Sequence, residues 1–198
     1  MGISRANGAL ALIQDVIRSE KLVVVGLKMA ELGNQSLRKD VLGVQVPAKA
    51  FFAAMGILHT SLDINGKDGS LPVDLRLPIT QPELLECFDI VTNFGTIQEI
   101  ERQHTAWQNV HRLAKVGGLM LHLVPQAGSW KGKFPLGFGE EFFPALAQCC
   151  SYDLLKFDRC ESDPESKLFA AVLRKKSREF PAEAEFFSKV RIDGLAAQ

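Results

Sequence analysis

The sequence has few cysteines and no long apolar run, and both absences restrict what the chain can be. Its cysteines, Cys87, Cys149, Cys150 and Cys160, form no CxxC pair, so neither a zinc site nor a disulfide framework is expected. Buried, reduced thiols indicate a reducing compartment, and we expect a cytoplasmic protein. No uninterrupted apolar stretch is long enough to cross a bilayer. The apolar part of "MGISRANGALALIQDVIRSEK" is too short for a secretory signal.

The sequence also has no net charge. Lys plus Arg number 23, and so do Asp plus Glu. Nucleic-acid binding draws most of its affinity from clustered cations, so we expect no nucleic-acid partner. The histidines are scattered and form no HExxH pair, and we expect no metal. We also expect no membrane partner.

The chain contains enough apolar residues for one domain. We assign residues 1–198 to it, with a core at about 22–176 and a polar tail at 177–198. Apolar spacing and turn signals predict helices at 8–19, 46–57, 101–115, 140–150 and 182–190. They predict strands at 27–32, 58–64, 71–75, 88–95, 119–124, 152–160 and 167–176, with an acidic turn at 161–166 between the last two.

Strands and helices alternate until the final pair of strands. Alternation favours a mainly parallel sheet with helices on both faces, and the closing hairpin favours one antiparallel edge strand. We therefore predict an α/β protein with a Rossmann-like three-layer sandwich.

The loop after the first strand begins like a cofactor-binding loop. Glu31 and Gly33 follow an apolar strand, and glycine lets backbone amides approach a ligand closely. Gln35 stands where a second glycine is usual, and Asn34 before it tolerates left-handed backbone better than most residues. A strand that simply ends at a glycine is the alternative.

Asp63 ends the second parallel strand. An acid at this point faces the crevice of the sheet, where it can accept hydrogen bonds from both hydroxyls of a ribose. The alternative is an Asx turn through Asn65 and Gly66. At the end of the fourth strand, Asn93 to Thr96 border the expected topological switch point of the sheet, where ligands bind.

The order of these segments resembles the class I, seven-stranded S-adenosylmethionine-dependent methyltransferases over about residues 27–176. "AELGNQ" is similar to the first family motif, "LDING" to the second and "PVDLRLPI" to the third. "FDIVTNFGTIQEI" and "AWQNVHRLAKVGGLMLHLVP" fall in family order as the fourth strand, its helix and the fifth strand. The resemblance implies a mostly parallel seven-stranded sheet.

The resemblance also implies S-adenosyl-L-methionine as cofactor. Glu31 would face the ammonium group of the cofactor, Asp63 its ribose and Asp74 its adenine amino group. For Asp74, a salt bridge with Arg76 is the alternative. The remaining predicted cofactor-binding residues are Gly33, Asn34, Gln35, Asn93, Phe94 and Gly95.

Substrate-binding candidates follow these motifs. Asn93 or Thr96 could orient the acceptor, and His122 is a candidate general base, although a histidine within a strand is more often structural. The aromatic residues of the glycine-rich segment 125–139 could form a lid that excludes water. They are Trp130, Phe134 and Phe138.

Methyl transfer to a small or medium-sized acceptor is therefore the predicted function. The missing second glycine leaves a second hypothesis open, a non-catalytic methyltransferase-like scaffold or subunit that has lost cofactor binding. A homodimer, formed through the edge strand or the tail, is part of that alternative. A nicotinamide-dependent dehydrogenase is disfavoured because GxGxxG is absent.

Overall fold

The protein is described by a computed structural model that covers residues 2–130, 132–160 and 167–194. The helices are α1 (Ala9–Ser19), α2 (Lys39–Leu42), α3 (Ala48–Ala54), α4 (Gln103–Leu113), α5 (Phe142–Cys149) and α6 (Glu183–Lys189). The strands are β1 (Lys28–Leu32), β2 (Ser36–Leu37), β3 (Val46–Pro47), β4 (Leu58–Leu62), β5 (Phe88–Phe94), β6 (Ala114–Pro125), β7 (Tyr152–Cys160) and β8 (Leu168–Lys175). The predicted turn at 161–166 lies outside the described residues.

The main sheet has six strands in the order β4-β1-β5-β6-β8-β7. Strands β4, β1, β5 and β6 are parallel, whereas β8 is antiparallel to both of its neighbours, β6 and β7. The predicted α/β sheet, mostly parallel with an antiparallel edge, is confirmed, because the edge strand β7 pairs antiparallel with β8. Strands β2 and β3 form a separate two-stranded ladder.

The predicted seventh strand, at 71–75, does not form. Leu71 makes a single bridge to Leu62 at the outer edge of β4. Beyond it Pro72 has no N–H, and the N–H of Val73 donates back to the Leu71 carbonyl at 2.9 Å. Neither residue can then extend the ladder, because each has lost the donor that pairing requires. The prediction of seven strands was therefore wrong.

Two apolar clusters cover the two faces of the sheet and make the predicted three layers. Side chains alternate along β1, so Met29 packs with α1 and α3, while Ala30 and Leu32 pack with α4, α5 and α6. Full burial of each large apolar side chain stabilises the fold by about 1.5–3 kcal/mol. The sheet is therefore fixed from both sides, and its carboxyl ends stay open for a site.

Helix α4 ends earlier than predicted. It was predicted over 101–115, but β6 already begins at Ala114, and Gly117 and Gly118 lie within that strand. A Cβ at Gly118 would lie 2.8 Å from the Lys115 carbonyl oxygen and 2.9 Å from that of Phe88. Glycine is required here because two backbone segments approach each other closely, not because a helix stops.

The polar tail folds back on the domain. Phe186 in α6 is fully buried, and its ring lies 5.5 Å from that of His104 in α4 and 5.7 Å from that of Phe180. The His104 imidazole contacts the Pro181 carbonyl oxygen at 2.9 Å. These contacts hold α6 on the α4 side of the sheet.

Several structural absences can be stated for the described ranges. No helix there is both long and apolar enough to span a bilayer. No group of three or more His, Cys, Asp or Glu side chains in that part of the chain is arranged to hold a metal ion. The cysteines are unpaired, and Cys150 is buried whereas the other three are partly exposed.

Candidate functional site

The loop after β1 is held in place by two carboxylates. The N–H of Asn34 donates to Asp63 Oδ2 at 2.8 Å, and the N–H of Gln35 donates to Glu31 Oε2 at 3.1 Å. Charge-assisted hydrogen bonds of this kind are roughly twice as strong as neutral ones. The loop is therefore fixed at the carboxyl end of β1, between β4 and β5.

Gly33 opens this loop in a conformation that only glycine adopts readily. Its φ is +80°, and a Cβ there would lie 2.7 Å from Thr96 Oγ1 and 3.0 Å from Gln35 Nε2. The Thr96 hydroxyl donates to the Leu32 carbonyl at 2.8 Å, which brings the end of β5 against the end of β1. The glycine thus lets the β1 and β5 ends meet at the switch point of the sheet.

Asp63 lies directly after β4 and is partly exposed. Its Oδ2 accepts the Asn34 N–H, and its Oδ1 accepts the Asn65 N–H at 2.9 Å. The Asx turn foreseen as an alternative is therefore present. An ionised carboxylate has about four acceptor positions, so two remain for a ligand.

Asp74 makes the salt bridge that was the alternative to adenine binding. The Arg76 guanidinium donates to both of its oxygens, with Nε–Oδ1 at 2.9 Å and Nη2–Oδ2 at 2.7 Å. These hydrogen bonds lower the pKa of Asp74 to about 2. The carboxylate stays ionised at neutral pH and still lines a cleft.

That cleft is open, has a volume of about 340 Å³ and lies at the carboxyl ends of β1, β4 and β5. It brings together four of the predicted residues, Gly33, Asp63, Asp74 and Thr96. The rest of its lining is Leu62, Ile64, Val73, Leu75, Arg76, Glu99 and Ile100. A pocket of this size with mostly apolar walls and a few polar groups is typical of small-molecule sites.

Glu31 does not line this cleft, because its side chain is buried beneath the loop. Its Oε1 lies 3.7 Å from Nε2 of His59 and makes no hydrogen bond with the described residues. The His59 ring stacks on Phe52, with centroids 5.2 Å apart. Gln35 is buried beside Glu31, and Asn34 points away to Asp68, whose Oδ2 accepts from Nδ2 at 2.8 Å.

The side chains at the end of β5 also lie in the protein interior. Asn93 Oδ1 accepts the N–H groups of Thr96 at 3.2 Å and Ile97 at 3.1 Å. Phe94 is fully buried, and Gly95 has a φ of +86°. Asn93 therefore shapes the turn after β5 without opening into the cleft.

His122 in β6 is fully buried next to Asn93. Their contact, Nδ2 to Nδ1, is 3.3 Å, and the ring packs 5.0 Å from that of Trp107. Burial lowers the pKa of His122 to about 3, so the imidazole is neutral at pH 7. The residue does not line the cleft.

The three aromatic residues of the predicted lid divide into two environments. Trp130 and Phe134 line a second cavity of about 470 Å³, with ring centroids 5.3 Å apart. Phe138 is fully buried and packs edge-on against Phe142. Glu99 lines both cavities, so the second cavity adjoins the first.

Sequence reasoning missed Glu99 and the apolar walls of the cleft. Glu99 belongs to a short 3₁₀ turn at Ile97–Glu99, which follows the fourth strand directly. That position next to the switch point was a usable signal. The apolar residues Val73 and Leu75 gave none, because they were assigned to a strand that does not form.

The fold and cleft define a Rossmann-like α/β protein with a ligand crevice at its topological switch point. No protein-family model matches the chain. No curated protein matches its sequence.

Solved structures match its fold. 1,6-Didemethyltoxoflavin-N1-methyltransferase from Burkholderia thailandensis, solved with S-adenosylhomocysteine, aligns over 84% of this chain and 77% of that chain with a TM-score of 0.61 and 11% identity. The N-methyltransferase NodS from Bradyrhizobium japonicum, also with S-adenosylhomocysteine, aligns over 85% of both chains with a TM-score of 0.59 and 14% identity. The [4+2]-cyclase SpnF aligns over 85% of this chain and 81% of that chain with a TM-score of 0.58 and 13% identity.

The chain therefore has the fold of the class I S-adenosylmethionine-dependent methyltransferases, as its sequence predicted. Since SpnF is a cyclase, the shared fold alone does not define the reaction.

Proposed function

We propose that this chain transfers a methyl group from S-adenosylmethionine to a small or medium-sized acceptor. The observation that carries the proposal is the single cleft in which Gly33, Asp63, Asp74 and Thr96 meet. Structures of the same fold with S-adenosylhomocysteine support the choice of cofactor.

The side chains of the cleft fit an adenosine. The two open acceptor positions of Asp63 match the two hydroxyls of a ribose. Ile64, Val73 and Leu75 supply apolar surface for a planar base, and Asp74 lies at the same wall. Gly33 lines the cleft with backbone alone, because Thr96 and Gln35 fill the space where a side chain would lie.

Glu31 has an indirect part in this proposal. Because its carboxylate is buried and accepts the Gln35 N–H, it holds the loop in the shape that borders the cleft. Asn34 and Gln35 act in the same way, through backbone groups that are already bonded within the protein.

The chemistry requires positioning more than acid–base groups. When bound, S-adenosylmethionine would supply a methyl group activated by the positive charge on its sulfur, with S-adenosylhomocysteine as the leaving group. Orientation of two reactants can remove about 7–11 kcal/mol of a barrier. Asn93 and Thr96 order the turn after β5 that carries Glu99, and this is the contribution we assign to them.

Calorimetric titration with S-adenosylhomocysteine tests the proposal. We expect binding to the wild-type protein, and at about 100 times the dissociation constant a stabilisation of about 2.7 kcal/mol. Asp63→Asn removes a charge-assisted acceptor worth about 1.5–3 kcal/mol, so affinity should fall about 10- to 100-fold.

Asp158→Asn is the matched control. Asp158 lies on β7, away from the cleft, and pairs with Lys156 at 3.3 Å. It should leave affinity unchanged. No binding to the wild-type protein at millimolar ligand, or equal affinity in all three proteins, would refute the proposal.

A further inference from the structure

The second cavity is lined by aromatic rings and cations. Trp130 Nε1 donates to the Lys167 carbonyl at 3.0 Å, which fixes the indole at the wall. Phe134 lies beside it, and Arg38 and Lys133 complete this side. Two tilted rings in a cavity of about 470 Å³ offer flat apolar surface to a planar molecule.

The two cations are exposed and have no anionic partner within the described ranges, and each contacts one neighbouring residue. Lys133 Nζ lies 4.4 Å from the centre of the Trp130 ring, a cation–π contact that leaves its hydrogen-bond donors available. Gly2 packs closely on Arg38, because a Cβ there would lie 2.6 Å from Nε. Elsewhere arginines such as Arg76 and Arg174 are paired with carboxylates.

The position of the cavity relates it to the cofactor cleft. Glu99 lines both spaces, so the second cavity adjoins the first at this side chain. The aromatic rings and the two cations line the second cavity and not the first. The local formal charge from Arg38, Lys133 and Glu99 is positive, in a chain whose net charge is zero.

We propose that this cavity binds the methyl acceptor, and that the acceptor is a planar aromatic molecule bearing a carboxylate. The guanidinium of Arg38 can hold a carboxylate through two parallel hydrogen bonds, and Lys133 adds a second charge. The rings of Trp130 and Phe134 contact the planar body. This inference rests on the proposed function, since it defines the acceptor of that reaction.

A pair of fluorinated probes tests the inference. We would titrate the protein with 4-fluorobenzoate and, separately, with 4-fluorobenzamide, and follow the ¹⁹F NMR linewidths. The two probes share a ring and differ in charge. We expect 4-fluorobenzoate to bind at least about tenfold more tightly, as expected when a charged hydrogen-bond pair is retained.

Substitution of the cations locates the bound probe. Arg38→Gln and Lys133→Met should each weaken 4-fluorobenzoate binding about three- to tenfold, and the double variant more than either. Lys39→Met is the matched control, because Lys39 is an exposed cation next to Arg38 that does not line the cavity. It should bind the probe like the wild type.

Each contrary result overturns the inference. Equal binding of both probes would make the cavity a neutral apolar pocket, and no binding at millimolar 4-fluorobenzoate would exclude this acceptor class. Binding that survives the double variant would place the probe elsewhere. The S-adenosylhomocysteine titration keeps the two proposals separate. Binding of S-adenosylhomocysteine without binding of 4-fluorobenzoate would refute only the proposed acceptor class. Binding of 4-fluorobenzoate without binding of S-adenosylhomocysteine would refute the proposed methyl transfer.

Discussion

At the scale of single residues, Gly33 is the position where backbone conformation and packing act together. Its φ of +80° would strain any other residue, and its Cβ position is occupied by Thr96 Oγ1 at 2.7 Å. Gly43 has nearly the same φ, +79°, with nothing within 4 Å of its Cβ position. A comparison of alanine substitutions at the two glycines therefore separates the cost of left-handed backbone from the cost of a steric clash.

Gly33→Ala should destabilise the protein more than Gly43→Ala. Left-handed backbone costs a non-glycine residue about 1–2 kcal/mol, and this cost is common to both variants. The clash with Thr96 should add a further 1–3 kcal/mol, as overpacking typically does. Urea denaturation measures the difference, and equal losses in the two variants would contradict the close approach seen at Gly33.

At the scale of elements, Lys175 joins β8 to the junction of α4 and β6. Its buried Nζ donates to Glu86 Oε1 at 3.0 Å and to the carbonyls of His111 and Ala114 at 2.9 Å each. Burial lowers the pKa of Lys175, while the hydrogen bond to Lys175 lowers that of Glu86. A cation here also balances the negative end of α4.

Lys175→Met should cost about 2–3 kcal/mol of stability. The substitution leaves the buried carbonyls of His111 and Ala114 without a donor, and unsatisfied buried groups carry such penalties, whereas Glu86 keeps its pair with Arg178 at 3.0 Å. Lys176→Met is the control, because Lys176 is exposed and its pair with Asp153, at 3.2 Å, is a surface salt bridge. It should change stability by less than about 1 kcal/mol. Similar losses in both variants would show that the buried network adds nothing.

At the scale of the whole molecule, two buried histidines couple folding to pH. Burial lowers the pKa of His111 to about 4 and that of His122 to about 3, from an ordinary 6.5. Below about pH 6.5 the unfolded chain binds protons that the folded chain excludes, so stability falls as the pH decreases. The full stability is present above pH 6.5, and the loss proceeds toward the folded-state pKa values.

His122→Gln should flatten this pH dependence. Gln retains a hydrogen-bond acceptor for Asn93 but does not titrate. Between pH 6.5 and 5.0 one excluded proton costs about 1.4 kcal/mol per pH unit, so the variant should lose about 2 kcal/mol less than the wild type. Urea titrations at pH 7.0, 6.0 and 5.0 measure this, and carboxylates contribute equally to both proteins. Parallel curves would show that His122 becomes protonated in the folded state.

The sequence alone determined the succession of the main strands and helices, apart from the strand at 71–75, and the position of Asp63 after the second parallel strand. These follow from local patterns, because apolar spacing sets each element and the register of a parallel sheet aligns the strand ends. The sequence showed the position of Glu31 in the motif, and Glu31 was therefore predicted to face the ligand. The sequence did not show that its side chain lies beneath the loop.

Only the tertiary structure decided which contacts form between distant residues. The seventh strand fails because Val73 bonds to Leu71 instead of a neighbouring strand. Trp130 and Arg38 line one cavity although almost half the chain separates them. Such outcomes depend on competition among donors and on packing in three dimensions. Composition and periodicity do not encode this competition or this packing. The contacts between distant residues become fixed only when the hydrophobic core forms.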